Sequence, residues 1–472
     1  MFDKKHVALP GRLVIVGFGS IGQGVLPLLL RHLEICPDQI TIITAESRGH
    51  DVAAEYGIHF IETALTQKNY RAILDPRVGR GDLLLNVSVD VSSVALVELC
   101  QEKGALYLDT CIEPWPGGYT DPNLPPSARS NYALRESALA LRPLYPGGPT
   151  SVLTHGANPG LVSHFVKRAL IDLAAEVSEL DASAPKERND WALLAERLGI
   201  KVIHIAERDT QIATIPKEPG EFVNTWSIDG FISEVSQPAE LGWGTHERHV
   251  PTDGRRHDFG CGAAIYLLRP GAATRVRSWT PLEGPYHGFL ITHGESISIA
   301  DYLTLMDGNR VRSRPTCHYA YHPCDDAVLS LHEFAGKNWR LQPVKRLMME
   351  EITSGTDELG VLLMGQAKGV YWFGSRLPIA EARRVAPHNN ATSLQVTAAV
   401  LAGVVWALEH PRQGIVEPEE MDFERVLEIV RPYLGEVVGV RGDWTPLDGR
   451  ETLFAEDLDH EDPWQFKNIR VV

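Results

Sequence analysis

Leu13-Val14-Ile15-Val16-Gly17-Phe18-Gly19-Ser20-Ile21-Gly22 is a short apolar run that ends in glycines spaced G-x-G-x-x-G. A buried parallel strand brings the chain to a tight turn at Gly17. Gly19 lets backbone approach a pyrophosphate, and Gly22 lets the following helix pack closely. The amides of that helix's first turn then face phosphate oxygens. Such glycine turns also occur without a ligand, so the surrounding chain has to decide. A helix over 23 to about 33 and a Pro37-Asp38 turn lead to residues 39–46, which read as a second strand ending in the acid Glu46. A carboxylate there accepts from adenosine ribose hydroxyls and favours NAD over NADP, although Arg48 leaves NADP open. The alternative for Glu46 is a solvated acid at a strand end.

Working outward, the first third alternates strands and helices. Strands are expected at 58–61, 82–88 and 105–109, with helices at 50–56, 67–74 and 92–103. Short connections between alternating elements mean a doubly wound parallel (Rossmann) sheet, an α/β fold, with ligands at the carboxyl ends of its strands. Those ends carry Asn86, Ser88 and Asp90, then Asp109, Thr110 and Glu113. A proline- and glycine-rich connector with a helix at 132–141 follows, then a strand at 150–154. After it, Thr154-His155-Gly156-Ala157-Asn158-Pro159-Gly160 forms a turn suited to floor a nicotinamide ring, or simply to start a helix to about 175.

Residues from about 177 to 385 change character. Strands at 201–206, 224–234, 263–268, 287–293 and 369–373 are separated by Gly, Pro and Asn, which predicts a second, α+β mixed-sheet substrate domain. A long apolar helix at 390–409 is expected to return to the cofactor domain. The expected division is 1–153 for that domain, completed by 386–425, then 154–385 for substrate and dimer contacts, and 426–472 as a C-terminal elaboration.

Composition sets bounds. The chain has 472 residues, 44% hydrophobic and 22% charged, with a formal net charge of -16. That charge repels nucleic acid and anionic membranes and suits a cationic ligand; acidity that only aids solubility is the plainer reading. Six scattered cysteines read as reduced thiols in a cytoplasmic protein. The start Met1-Phe2-Asp3-Lys4-Lys5-His6 leads into the first strand without a separate apolar targeting segment. The apolar run at 398–408 is shorter than the ~20 residues needed to span a bilayer.

Two constellations bear on chemistry. If 224–234 is extended, Trp226 and Glu234 share a face. An indole attracts an ammonium and a carboxylate holds it, which makes a diamine site; a core Trp with a surface Glu is the alternative. Glu207 is an acid of the same ambiguity beside Arg208. His293, at a strand end, is either a proton carrier or a hydrogen-bonded structural histidine. The stretch from Cys317 to Cys324 alternates Cys and His, but its spacing lacks the distant second pair of a structural zinc, so no metal is expected.

Gly17-Phe18-Gly19-Ser20-Ile21-Gly22-Gln23-Gly24, Leu108-Asp109-Thr110-Cys111-Ile112-Glu113-Pro114-Trp115, the Thr154 to Gly160 turn, Asn224-Thr225-Trp226-Ser227-Ile228-Asp229-Gly230-Phe231 and Ile291-Thr292-His293-Gly294-Glu295-Ser296 resemble the bacterial homospermidine synthases over most of the chain. More distantly, the plan is similar to saccharopine reductase-type enzymes. The resemblance implies tightly held NAD that is recycled in each turnover. One putrescine is oxidised to an imine, a second amine attacks, ammonia leaves, and the stored hydride reduces the new imine to homospermidine; spermidine is an alternative donor. It also implies a homodimer and an acidic tunnel with Asp90, Glu113, Asn158, Glu207, Trp226, Glu234 and His293. Catalytic duties fall to Trp226, Glu234, Glu207, His293 and Asn158. Cofactor contacts fall to Gly17, Gly19, Ser20, Ile21, Gly22, Glu46, Ser88, Asp109, Thr110, Thr154, Gly156 and Ala157. A net dehydrogenase of the saccharopine reductase type and a non-catalytic NAD sensor are the competing readings. The former requires an arginine clamp for a substrate carboxylate, and none stands beside the Trp226 segment.

Overall fold

The strand Leu13–Val16 is buried at every position, as a strand covered by helices on both faces must be. The computed structural model describes residues 4–177, 183–366 and 368–472; the Met1-Phe2-Asp3 part of the N-terminal reading lies outside them. Leu13–Val16 pairs in parallel with Ile40–Thr44 on one side and Leu83–Asn86 on the other. The sheet runs Ile415–Val416, Ser151–Val152, Leu106–Asp109, Leu83–Asn86, Leu13–Val16, Ile40–Thr44, His59–Glu62, parallel throughout. The chain grows outward from Leu13–Val16 and then returns to its other side. The change of direction therefore lies beside the glycine turn, where such sheets hold ligands. Gly17 has φ 86°, and a Cβ there would sit 2.7 Å from the Ser88 backbone, so this close approach requires glycine.

Two boundaries move. The first helix is Ser20–His32, beginning directly after Gly19 instead of at 23. The second strand ends at Thr44, which leaves Glu46 in the exposed turn beyond it.

The late helix Ala391–Glu409 is capped by Asn390, whose side chain accepts from the Ser393 amide while Ser393 answers in kind. Its mean hydropathy is 1.7 over a bilayer-length window that is 89% buried. The helix covers nearly the whole expected span of 390–409, and its apolar surface faces the protein, against Ser20–His32, Leu106–Asp109 and Phe423–Val430. Ile415–Val416 then adds an edge strand to the parallel sheet, a contribution the sequence pattern did not reveal.

The second sheet is mixed. Its path is Gly254–Arg256, Ala264–Pro270, Pro238–Gly242, Thr316–His322, Val202–Asp209, Thr356–Met364, Val370–Pro378, Glu436–Gly442, with Arg275–Thr280, Gly284–Phe289 and Arg470–Val471 joined to it. Thr316–His322 and Val202–Asp209 run parallel and the remaining pairs are antiparallel. The C-terminal segment contributes Glu436–Gly442 and Arg470–Val471 to this sheet.

The expected strand at 224–234 is not extended. Glu221–Asn224 stops at Asn224 and pairs with Val344–Leu347, and the helix Ile228–Ser236 follows. Ser227 caps that helix by accepting from the Gly230 amide at 3.2 Å, and Ile228, Phe231, Ile232 and Val235 recur at helical spacing. The expected strand at 287–293 likewise ends at Phe289, and His293 becomes the cap position of the helix Gly294–Tyr302.

Gly403 marks where the late helix meets the parallel sheet, since a Cβ there would lie 2.6 Å from Leu108 Cδ1 and 2.8 Å from His155 Nδ1. Gly403→Leu should destabilise the protein by roughly 1–3 kcal/mol through overpacking. Denaturant unfolding measures this, and an unchanged midpoint would mean that the helix is not seated this closely.

Candidate active site

The cleft at the glycine turn has a volume of about 600 Å³ and is lined by Gly17, Gly19, Ser20, Ile21, Glu46 and Ser88, among others. The helix Ser20–His32 has no side chain capping its first amides, and a Cβ on Gly19 would meet nothing within 4 Å. Unsatisfied amides beside open space suit a phosphate. Glu46 is exposed and lies 3.7 Å from Arg48. Gly22 sits behind the turn, where a Cβ would lie 2.9 Å from the Gly17 carbonyl.

Asp109 ends the strand Leu106–Asp109, as expected. It is fully buried: one carboxylate oxygen accepts from the Thr154 amide at 2.6 Å and the other from the Tyr107 hydroxyl at 2.8 Å. Burial raises its pKa to about 6, against the pull of those donors. Both oxygens are thus engaged beneath the turn, holding Thr154 at φ 55°. The turn is tight beyond it: the Gly156 amide donates to the Pro159 carbonyl at 2.7 Å, and Ala157 is buried. Thr110 lies alongside, its Cβ 3.5 Å from where a Gly156 Cβ would stand.

Deeper in, Trp226, Glu234, Glu207, His293 and Asn158 form one connected cluster. Trp226 Nε1 donates to the Tyr321 hydroxyl at 3.2 Å, and Tyr321 stacks on Tyr319 with ring centroids 5.1 Å apart. The Tyr319 hydroxyl donates to Glu207 Oε2, which also accepts from Asn158 Nδ2 at 2.8 Å. Tyr319 lies 4.6 Å from the His293 ring, and His293 bridges Glu234 at 2.9 Å and Glu295 at 3.2 Å. The loop and helix start at Ser227 bring Trp226 and Glu234 here, not the alternation of a strand. Glu113 and Asp90 form a second acidic point, with the Asp90 amide donating to Glu113 Oε2 at 3.3 Å. Asp90 also lines the open cleft.

Sequence reasoning missed Tyr319, Tyr321, Glu295, Asp209 and Asp357. The two tyrosines sit at alternate positions of the stretch inspected for metal, so parity was an available signal. Asp209 follows Glu207 at the same alternation. Asp357 comes from the adjacent strand, directly opposite Asp209 in register, and has no local sequence signature. Among the described residues, no group of three or more His, Cys, Asp or Glu side chains suits a metal ion.

The electrostatics follow from burial. Among the described residues no lysine or arginine forms an ion pair with Glu113, Glu207, Asp209 or Asp357. Burial raises Glu207 to about 8, with Asp209 adding to it, and raises Glu113 to about 8, with Glu234 and Asp90 adding. Asp209 and Asp357 are raised by the same desolvation. Burial opposes charge on His293, but Glu234 and Glu295 outweigh it and hold the ring protonated well above the ordinary histidine range. At neutral pH Glu207 and Glu113 are therefore largely protonated in the ligand-free site, and a cation placed beside them would favour their charged form.

Residues 13–152 match the family described as the saccharopine dehydrogenase NADP binding domain, and residues 156–443 match the saccharopine dehydrogenase C-terminal domain. The chain is 56% identical over 467 residues to a homospermidine synthase of Blastochloris viridis, covering 98% of each chain. The chain belongs to the homospermidine synthases. A homospermidine synthase of Mesorhizobium japonicum is 51% identical over 469 residues, covering 98% of this chain and 97% of that one. The crystal structure of the homospermidine synthase of Legionella pneumophila in complex with NAD is 50% identical, with a TM-score of 0.93 over 99% of both chains. The parallel sheet and the mixed sheet are thus the architecture of a homospermidine synthase.

The raised acids make stability depend on pH. Glu207 and Glu113, at about 8 in the fold and ~4.3 when unfolded, bind more protons folded than unfolded between those values. Ligand-free stability should therefore fall as pH rises through that window and level off above it. Glu207→Gln should reduce the slope and leave the ligand-free protein several degrees more heat-resistant than the parent at pH 9. Melting curves from pH 5 to 9 measure this, and equal slopes would show that Glu207 is not desolvated.

Proposed function

We propose that the chain joins two putrescines into homospermidine with release of ammonia, with spermidine as an alternative donor that releases diaminopropane. We further infer that it does so with NAD in the glycine-turn cleft, as a cytoplasmic homodimer. The observation that carries this reading is the buried set of carboxylates, lacking a lysine or arginine partner among the described residues and sharing one cluster with the indole of Trp226.

The residues present fit NAD. The uncapped first amides of Ser20–His32 and the open space at Gly19 receive a pyrophosphate. Glu46 borders the cleft where an acid accepts from ribose hydroxyls. NAD held there would supply a reversible hydride acceptor for the first diamine and the final imine, so that no net redox would result.

The chain's own residues handle charge. Putrescine carries two ammonium groups at neutral pH, because alkyl amines titrate near ~10. Glu207 and Glu234 hold ammonium ends by charge-assisted hydrogen bonds, with Asn158 and Tyr319 fixing the Glu207 carboxylate. Asp90 and Glu113 supply the acidic approach. A protonated His293 beside Glu234 disfavours a second positive charge at the adjacent nitrogen, which helps the reacting end become the neutral amine that hydride loss requires. The face of Trp226 holds the iminium formed there without supplying a nucleophile or water. A net dehydrogenase acting on an amino acid requires an arginine at this cluster for the substrate carboxylate. Among the described residues no arginine hydrogen-bonds to these acids.

The decisive experiment incubates purified protein with putrescine and follows homospermidine, ammonia and reduced nicotinamide. Homospermidine and ammonia should appear in equal amounts with little free NADH, and stoichiometric NADH without homospermidine would overturn the reading. Glu46→Ala should weaken NAD retention and reduce discrimination against NADP; unchanged retention and preference would place the ribose elsewhere. The kcat/KM for putrescine should rise from pH 7 to 9 as Glu207 and Glu113 ionise near 8, and a flat profile would contradict this. Trp226→Phe should keep part of the activity. Trp226→Ala should lose about 30-fold, the equivalent of the ~2 kcal/mol of a desolvated cation–π contact, while folding and NAD retention persist.

A further inference from the structure

Trp226 sits in a loop, between the strand Glu221–Asn224 and the helix Ile228–Ser236. What fixes an indole in a loop is the backbone before it, and Thr225 is gripped from two directions. Its hydroxyl donates to Asp209 Oδ2 at 2.8 Å, and its carbonyl accepts from Asn390 Nδ2 at 2.6 Å. The same Asn390 nitrogen donates to the Met348 carbonyl at 3.1 Å, while Asn390 Oδ1 accepts from the Ser393 amide at 2.8 Å as the cap of Ala391–Glu409.

The neighbouring Asn389 reaches the opposite way. Its Nδ2 donates to the Gly24 carbonyl at 3.1 Å, and its Oδ1 accepts from the Thr397 hydroxyl at 3.0 Å. Gly24 belongs to Ser20–His32, the helix that starts at the glycine turn. A Cβ on Gly24 would lie 2.4 Å from Asn389 Oδ1, so the contact is tight. Thr225, Asn389 and Asn390 are all buried.

We infer that Asn389-Asn390 is a strut that sets Trp226 relative to the dinucleotide helix, with Asn390 as a positioning residue for the indole. The inference rests on the reading of Trp226 as the holder of the iminium. Asparagine suits the post because one side chain must accept from the Ser393 amide and donate to two carbonyls. Serine and aspartate preserve the cap. Aspartate has no donor when ionised, and serine is too short to reach Thr225. Replacing Asn390 by either therefore separates helix capping from positioning.

A displaced indole should let water reach the iminium. Water then adds to the carbon, ammonia leaves, 4-aminobutanal is released, and the hydride remains behind as NADH. Asn390→Ser and Asn390→Asp should fold and retain NAD, while melting below the parent because two buried carbonyls lose their donor. The ratio of homospermidine made to NADH and aldehyde released should fall about tenfold in both, with kcat reduced more than KM is raised. Trp226→Ala should shift the ratio the same way. If Trp226→Ala shifts it but both Asn390 variants keep the parental ratio, the strut is overturned and the indole reading stands. If Trp226→Ala also keeps the parental ratio, both fall. Failure of both cap-preserving variants to fold would assign the amide a structural duty and overturn the inference as well.

Discussion

Carboxylates taken out of water with no lysine or arginine paired to them among the described residues are the constraint around which this protein is built. Glu207 and Asp209 lie on one face of a central strand, and Asp357 stands across from Asp209 on the next. Desolvating such groups costs several kcal/mol each unless hydrogen bonds or protons compensate. Compensation comes from neutral donors. Tyr319 and Asn158 serve Glu207; Thr225 and Gln211 serve Asp209; Thr392 serves Asp357. The start of the 19-residue helix Ala391–Glu409 lies among them, and its positive end favours negative charge. The arrangement holds the acids by neutral donors, so that a diammonium ligand would draw them from the protonated into the charged form.

The two sheets meet at that point. The Thr154 to Gly160 turn leaves the parallel sheet carrying Asn158 to Glu207, and Asp109 holds the start of that turn from below. The late helix returns from the mixed sheet, packs over the first helix, and presents Asn389 and Asn390 to either side. Cofactor cleft and acidic cluster are thus tied by short, buried hydrogen bonds, and neither sheet by itself holds a complete site.

Much of this was legible in the sequence. The glycine turn and the alternation of short apolar runs with helices identified the parallel sheet, because a strand buried on both faces leaves an unbroken apolar signature at Leu13–Val16. The motif around Trp226 was recognised while its conformation was misread. Alternation tempted a strand, but Ser227 as a cap and the spacing of Ile228, Phe231, Ile232 and Val235 favour a helix. Tyr319 and Tyr321 were overlooked because the cysteines and histidines on either side of them drew attention, although alternate residues of one strand face the same way. Asp357 had no local signal, and Asn390 signalled only the start of a helix. Their roles arise from register and from the docking of a distant helix, which one sequence read alone does not encode as a pattern.

The parallel pairing of Val202–Asp209 with Thr316–His322 sets Glu207 beside Tyr321 and His204 beside His318. One face carries the acids and phenols; on the other, the rings of His204 and His318 lie 4.0 Å apart. A slip of a single residue in the Val202–Asp209 strand would present Ala206 or Arg208 where Glu207 stands. Insertions and deletions are therefore barred from these two strands in any descendant that keeps the chemistry. Change in the amines accepted has to arise by substitution within them, or by remodelling the loops that carry Trp226 and Asp90.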